Sequence, residues 1–149
     1  MTLLPTLLDP TARAVVVQRL RAVSAATERR WGTMTAPQML CHVSDQLRVA
    51  LGEIAATDRS TLLRRTIVKW LAVWTPLKWP KGRTRTSREM LTSRPGDWSA
   101  DVAECEGLIE RVGMGGAVAI HPTFGPLTPT EWGRLCWKHL DHHLRQFAA

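Results

Sequence analysis

The residues of this chain best suited to chemistry are histidines, and they recur at helical spacing. His139, His142 and His143 lie in the final segment TPTEWGRLCWKHLDHHLRQF, and His42 lies in MTAPQMLCHVSDQL near the start. Residues four apart on a helix share a face, so His139 and His143 can turn two ring nitrogens toward one point. An imidazole nitrogen binds a zinc-like ion at about 2.0–2.1 Å, and catalytic sites of this kind take three protein ligands and keep a position open. His142 competes for the same role, being within a turn of His139. At about 100° per residue, however, His143 falls nearly in line with the apolar stripe at Cys136, and His142 lies about 120° away. His143 is therefore read as the inward residue and His142 as a flank.

The elements that must position these rings announce themselves by their starts. Thr128, Pro129 and Glu131 form a capping box with proline at the first turn, and Trp132, Leu135, Cys136, His139, Leu140, His143, Leu144 and Phe147 follow at three-and-four spacing. Thr35 and Gln38 open a second such helix, running to about Gly52, with Met39, His42, Val43, Gln46, Leu47 and Ala50 inward. His42 is thus a third inward histidine. A lone histidine on an apolar face is ordinarily a hydrogen-bonded core residue; two on one stripe and a third on a second stripe favour a metal site. Asp45, Gln46 and Gln146, each within a turn of a candidate ligand, are the candidates to orient the rings.

Two further helices complete the pattern. Asp9-Pro10 opens one through roughly Glu28, ended by Trp31-Gly32, and Asp97 or Ser99 opens another through about Val112. Between the second helix and Asp97 lie a tryptophan-rich apolar helix, expected over Ser60 to Trp79 and interrupted by Pro76, and a polar, basic linker from Pro80 to Gly96. That helix is too short and too charged to span a bilayer. Packing across the bundle or against a second subunit, making a homodimer, is expected of it ahead of an interfacial membrane role. The fold expected is all-α: a four-helix bundle over residues 1–149 as one domain, with a long crossover between its second and third helices and an extra Trp-rich helix in that crossover. His121, in the loop Gly113 to Leu127, stands at the mouth of such a site, as a fourth ligand or acid–base group, or simply as a cap on backbone groups.

Composition sets outer bounds. The 149 residues suffice for one core, and no uninterrupted apolar run approaches the ~18 residues of a membrane span. The start MTLLPTLLDP lacks the features of an export signal. Cys41, Cys105 and Cys136 form no even framework, which fits reduced thiols and a cytoplasmic location. Lys plus Arg exceed Asp plus Glu by 20 − 13 = 7, and these basic residues accompany no nucleic-acid motif, so nucleic acid is not the favoured partner. Nucleotide-binding loops, dinucleotide fingerprints and Gly-x-Ser-x-Gly elbows are absent from the sequence.

The stretches WGTMTAPQMLCHVSDQL and HPTFGPLTPTEWGRLCWKHLDHHLRQF, which bracket nearly the whole chain, resemble the DinB-like superfamily of metal-binding four-helix bundles, and more closely an uncharacterised branch of it. The resemblance implies a divalent ion held by one histidine of the second helix and two of the fourth. Those positions fall on His42 and on His139 and His143 of a His-x-x-His-His-x-x-Gln pattern, with Gln146 as the glutamine. It further implies relatives that include thiol-dependent transferases using low-molecular-weight thiols.

Three functions follow as alternatives. The first is a metal-dependent enzyme, of thiol-transferase type, in which Zn²⁺, Ni²⁺ or Fe²⁺ on the three histidines activates a thiol or a water. Arginines of the Lys81 to Arg94 linker would hold an anionic substrate. The second is a metal-stabilised binding or sensing bundle without turnover. The third is a basic module for nucleic acid or an acidic membrane surface.

Overall fold

Side-chain caps start all four main helices, as the local sequence dictates. In a computed structural model, which describes residues 3–82 and 86–149, α1 spans Pro10–Arg21, α2 Ala36–Ala50, α3 Lys69–Trp74, α4 Trp98–Gly113 and α5 Pro129–Gln146. A two-residue antiparallel pair, β1 (Ile120–His121) and β2 (Gly125–Pro126), precedes α5. The Asp9 and Asp97 carboxylates accept the N–H groups of Thr11 and Ala100, each at 2.9 Å. At α2 and α5 both arms of the capping box form: Thr35 with Gln38, and Thr128 with Glu131. The architecture is an all-α bundle of four main helices, α1, α2, α4 and α5, with a long crossover between the second and third that carries α3. Within it, α1 and α2 each pack on both α4 and α5, around Leu20, Leu40, Leu47, Ile109, Trp132 and Leu140. Among the described residues no helix is long and apolar enough to cross a membrane.

Several boundaries differ from the sequence expectation, for local reasons. The first helix ends at Arg21 rather than near Glu28: Ser24 N–H bonds the Thr27 hydroxyl at 2.9 Å, a local alternative to the helical ladder. The Trp-rich helix expected over Ser60 to Trp79 is shorter. It begins at Leu62, passes through a π-turn, Arg64–Val68, in which Lys69 N–H reaches back to the Arg64 carbonyl, and ends at Trp74. Thr75 is extended (φ −110°, ψ 154°), the conformation that the ring of the following Pro76 favours in the residue before it. The Pro80 to Gly96 linker is not without structure, since Arg88–Met90 forms a 3₁₀ turn; its Arg83 and Arg85 lie outside the described residues.

That turn alters the environment of α2. The stripe read from periodicity was one-sided, yet every residue from Met39 to Leu47 is buried, including Cys41, Ser44 and Asp45. The crossover lies across the face that an ordinary amphipathic helix would show to water. Asp45, fully buried, is what ties it down: one carboxylate oxygen accepts the N–H groups of Thr92 and Ser93, both at 2.8 Å, and the other takes Arg48 at 3.0 Å. The Ser93 hydroxyl adds a further bond.

Burial alone would raise the Asp45 pKa, but the bonds from Ser93 and Thr92 outweigh it and hold the carboxyl below its ordinary 3.8. Its contribution is complete above that unfolded value and is lost as pH falls through the lower folded one. Asp45→Ala is expected to lower stability by about 3 kcal/mol at neutral pH, because it leaves Arg48 and the partly buried N–H groups of Thr92 and Ser93 without their shared acceptor. In chemical denaturation at a series of pH values, the gap to wild type narrows as the pH drops below 3.8.

Candidate metal centre

The crossing of α2 and α5 brings three of the sequence-selected histidines together. His42 and His139 are buried and His143 half-buried; one ring nitrogen of each lies within 4.8 Å of the others. The three rings meet edge to face, with centroids 4.6 to 4.8 Å apart. His42 Nε2 stands 2.8 Å from His139 Nε2.

The outer nitrogens decide what the inner ones can be. His42 Nδ1–H donates to the Met90 carbonyl at 2.9 Å, so its Nε2 carries a lone pair. The Gln146 side chain donates through Nε2 to the Trp31 carbonyl at 2.7 Å, which turns its Oε1 toward His143; Nδ1–H of His143 donates to it at 3.0 Å. The His143 Nε2 is likewise left as a lone pair. His139 has one nitrogen against His42 and the other, Nδ1, buried with no hydrogen-bond partner. Lone pairs therefore outnumber protons in the space between the rings, a donor set that suits a cation.

Electrostatics point the same way. Burial lowers the pKa of His42 in spite of the Met90 bond and the nearby Asp45 charge. Burial, and then the proximity of His42, takes His143 down to about 3. His139 is pushed well down by burial and by its histidine neighbours. All three rings stay neutral at physiological pH, the protonation state in which imidazole is a ligand. Cys136 is not part of the group; it is a core thiol whose pKa burial raises steeply.

The rings form the floor of a cleft of about 350 Å³ whose walls include Trp31, Met34, Trp79 and Phe124. Among the described residues no carboxylate lines it. His142 belongs to its wall, half-buried, between Trp31 and Trp79 with centroids at 6.0 and 6.1 Å. His121 also lines the cleft; its Nδ1 accepts the N–H groups of Thr123 and Phe124, at 3.0 and 3.2 Å, and so holds the β1–β2 turn. Burial moves His121 down to about 4 against the opposing charge of Glu89.

The three residues expected to orient the rings divide. Gln146 bonds His143 directly, whereas the bonds of Asp45 go to the crossover and not to an imidazole, and Gln46 lines the cleft with its Oε1 unpartnered. Asp45 acts one step removed, by fixing the segment beside Met90. The linker's described contribution to the cleft is Pro80, Gly82, Thr86, Ser87 and Met90, with neither Arg88 nor Arg94 among the lining residues. Lys81 stands at Trp31, 4.3 Å above the ring. Sequence reasoning missed the Met90 and Trp31 carbonyls, because a main-chain acceptor has no side-chain signature. It also missed Trp79 as a wall, since the tryptophan was assigned to the Trp-rich helix of the crossover, beyond its interruption at Pro76.

With this geometry in view, comparison places the chain. Residues 6–149 match the family described as "Protein of unknown function (DUF1569)". The chain belongs to this family. DUF1569 is loosely associated with the DinB-like clan, and neither a curated protein nor a solved structure significantly matches this member.

Gly32 of this DUF1569 chain has a structural task that the tryptophan before it conceals. Its φ is +84°, and a Cβ there would strike the Gln146 amide. Gly32→Ala is expected to cost about 2 kcal/mol, a fall of roughly 4–8 °C in Tm by calorimetry. Gly52→Ala shares the positive φ but has open space around it, and serves as the control for backbone strain alone.

Proposed function

We propose that His42, His139 and His143 hold a divalent cation, Zn²⁺, Ni²⁺ or Fe²⁺, and that the protein is a metal-dependent enzyme of thiol-transferase type. The observation that supports this reading is the convergence of three neutral imidazoles whose protons are drawn outward, at His42 by the Met90 carbonyl and at His143 by Gln146. Such an ion supplies Lewis acidity that brings a thiol or a water toward ionisation near neutral pH. The chain's own contribution is to orient and to exclude. Met90 and Gln146 fix ring tautomer and angle. Trp31 and Trp79 limit water around the rings, which strengthens every charge interaction at the floor. A cleft with no carboxylate among its described lining residues, and with Lys81 at Trp31, favours a neutral or anionic substrate such as a low-molecular-weight thiol carrying carboxylates.

Elemental mass spectrometry of untagged protein tests the site. Wild type and His142→Ala are expected to carry close to one metal per chain, and folded His42→Ala and His143→Ala to lose it. Wild type that is folded, empty and cannot be loaded removes the reading. Metal present at about 1,000 times its Kd adds about 4 kcal/mol, so chelation lowers the Tm of wild type but not of the two ligand variants. Turnover on thiol and electrophile panels, lost with the metal, separates an enzyme from a bundle that uses its metal for stability alone.

Gln146→Leu keeps the volume while leaving the His143 proton without an acceptor. Metal affinity by competition with a chromogenic chelator is expected to weaken about 10–100-fold.

A further inference from the structure

The crossover helix turns one face to the core and leaves the rest bare. Every residue from Thr61 to Val68 is exposed, and in α3 only Val73 is fully buried, facing α5. Leu62, Trp70 and Leu77 are 80%, 58% and 60% exposed, and Ile67, Leu71 and Trp74 are exposed with them. Scattered apolar side chains need no explanation, but these six within the one stretch from Leu62 to Leu77 exceed that.

Charge indicates what covers this face. The thirty residues between Asp58 and Glu89 contain nine lysines and arginines and no acidic residue. The carboxylates bonded to the π-turn and α3, Asp58 and Glu131, meet Arg65 and Lys69. Among the described residues the Arg64 side chain meets no carboxylate and donates to the neutral Arg59 carbonyl, and Lys78 is exposed. Arg134 of α5 stacks on Trp74 at 4.1 Å, and Lys138 reaches the Thr75 carbonyl at 3.0 Å. A twofold contact between copies would set this basic face against itself, because an isologous interface uses the same patch twice. Apolar and aromatic side chains edged by cations match the boundary between anionic headgroups and acyl chains instead.

We propose that the π-turn, α3 and residues 75–78 form a docking surface for a bilayer with anionic headgroups. Trp70, Leu71 and Leu77 enter the interface, and Arg64, Lys78 and Arg134 meet the phosphates. Behind this face lies an apolar groove of about 300 Å³ that shares Trp79, Pro80 and Phe124 with the histidine cleft, so docking brings a wall of that cleft to the membrane.

Co-sedimentation of the full chain with vesicles tests this, independently of any metal. Binding to vesicles of phosphatidylglycerol and phosphatidylcholine in equal parts is expected to exceed binding to phosphatidylcholine alone by at least about tenfold, and to weaken strongly in about 1 M salt, where the Debye length is about 3 Å. The double variant Trp70→Ser/Leu71→Ser is expected to lose at least about tenfold. Arg64→Gln and Lys78→Gln each lose about fivefold, with unchanged circular dichroism. The proposal is overturned if the chain stays in the supernatant with anionic vesicles, or binds both kinds equally. It is also overturned if the protein is a dimer that Trp70→Ser/Leu71→Ser dissociates, since a second copy then covers the face.

Discussion

Three imidazoles cannot be buried around one point unless their protons are directed elsewhere. Each neutral ring has one donor and one acceptor nitrogen, and buried polar atoms without partners are costly. Here the Met90 carbonyl and the Gln146 amide draw two protons outward, and the inner nitrogens of His42 and His139 face each other at 2.8 Å. Much of the architecture serves this condition. The α2–α5 crossing sets the spacing of the rings, the crossover delivers the Met90 carbonyl, and the turn at Trp31-Gly32 fixes which way the Gln146 amide points.

The crossover is the element that does most with least regular structure. Its inner edge lies over α2, where Asp45 gathers Thr92 and Ser93, and closes a helix that would otherwise show water a polar face. Its outer part, the π-turn and α3, touches the bundle mainly along α5 and exposes tryptophan and leucine. Between the two, Trp79 stands over His139 and His142 and donates its indole N–H to the Ala72 carbonyl, so the same segment walls the cleft and ties it to α3.

Burial gives the cleft its chemical character. The three clustered rings and His121 are neutral for the same first cause, desolvation, yet only the three on α2 and α5 converge. His121 uses Nδ1 as an acceptor for two turn amides and thereby shapes the β1–β2 hairpin next to the site. DUF1569 membership describes the chain from residue 6 to its end but names no reaction, so the chemistry has to be argued from the ring nitrogens themselves.

The capping boxes at Thr35 and Thr128, the helical phase that separates His143 from His142, and the four-helix pattern with its long crossover are all legible in the sequence. The caps and the histidine phase depend on residues within a turn or two of one another, where side-chain type and spacing are the whole cause, and the four-helix pattern follows from where such helix starts recur along the chain. The burial of α2 on both faces, the Met90 and Trp31 carbonyls and the bare face of α3 were decided only by the tertiary structure. A carbonyl has the same chemistry in every residue, and whether a face is covered depends on chain far away in sequence. His42 could therefore be chosen from periodicity, but the acceptor 48 positions on that sets its tautomer could not.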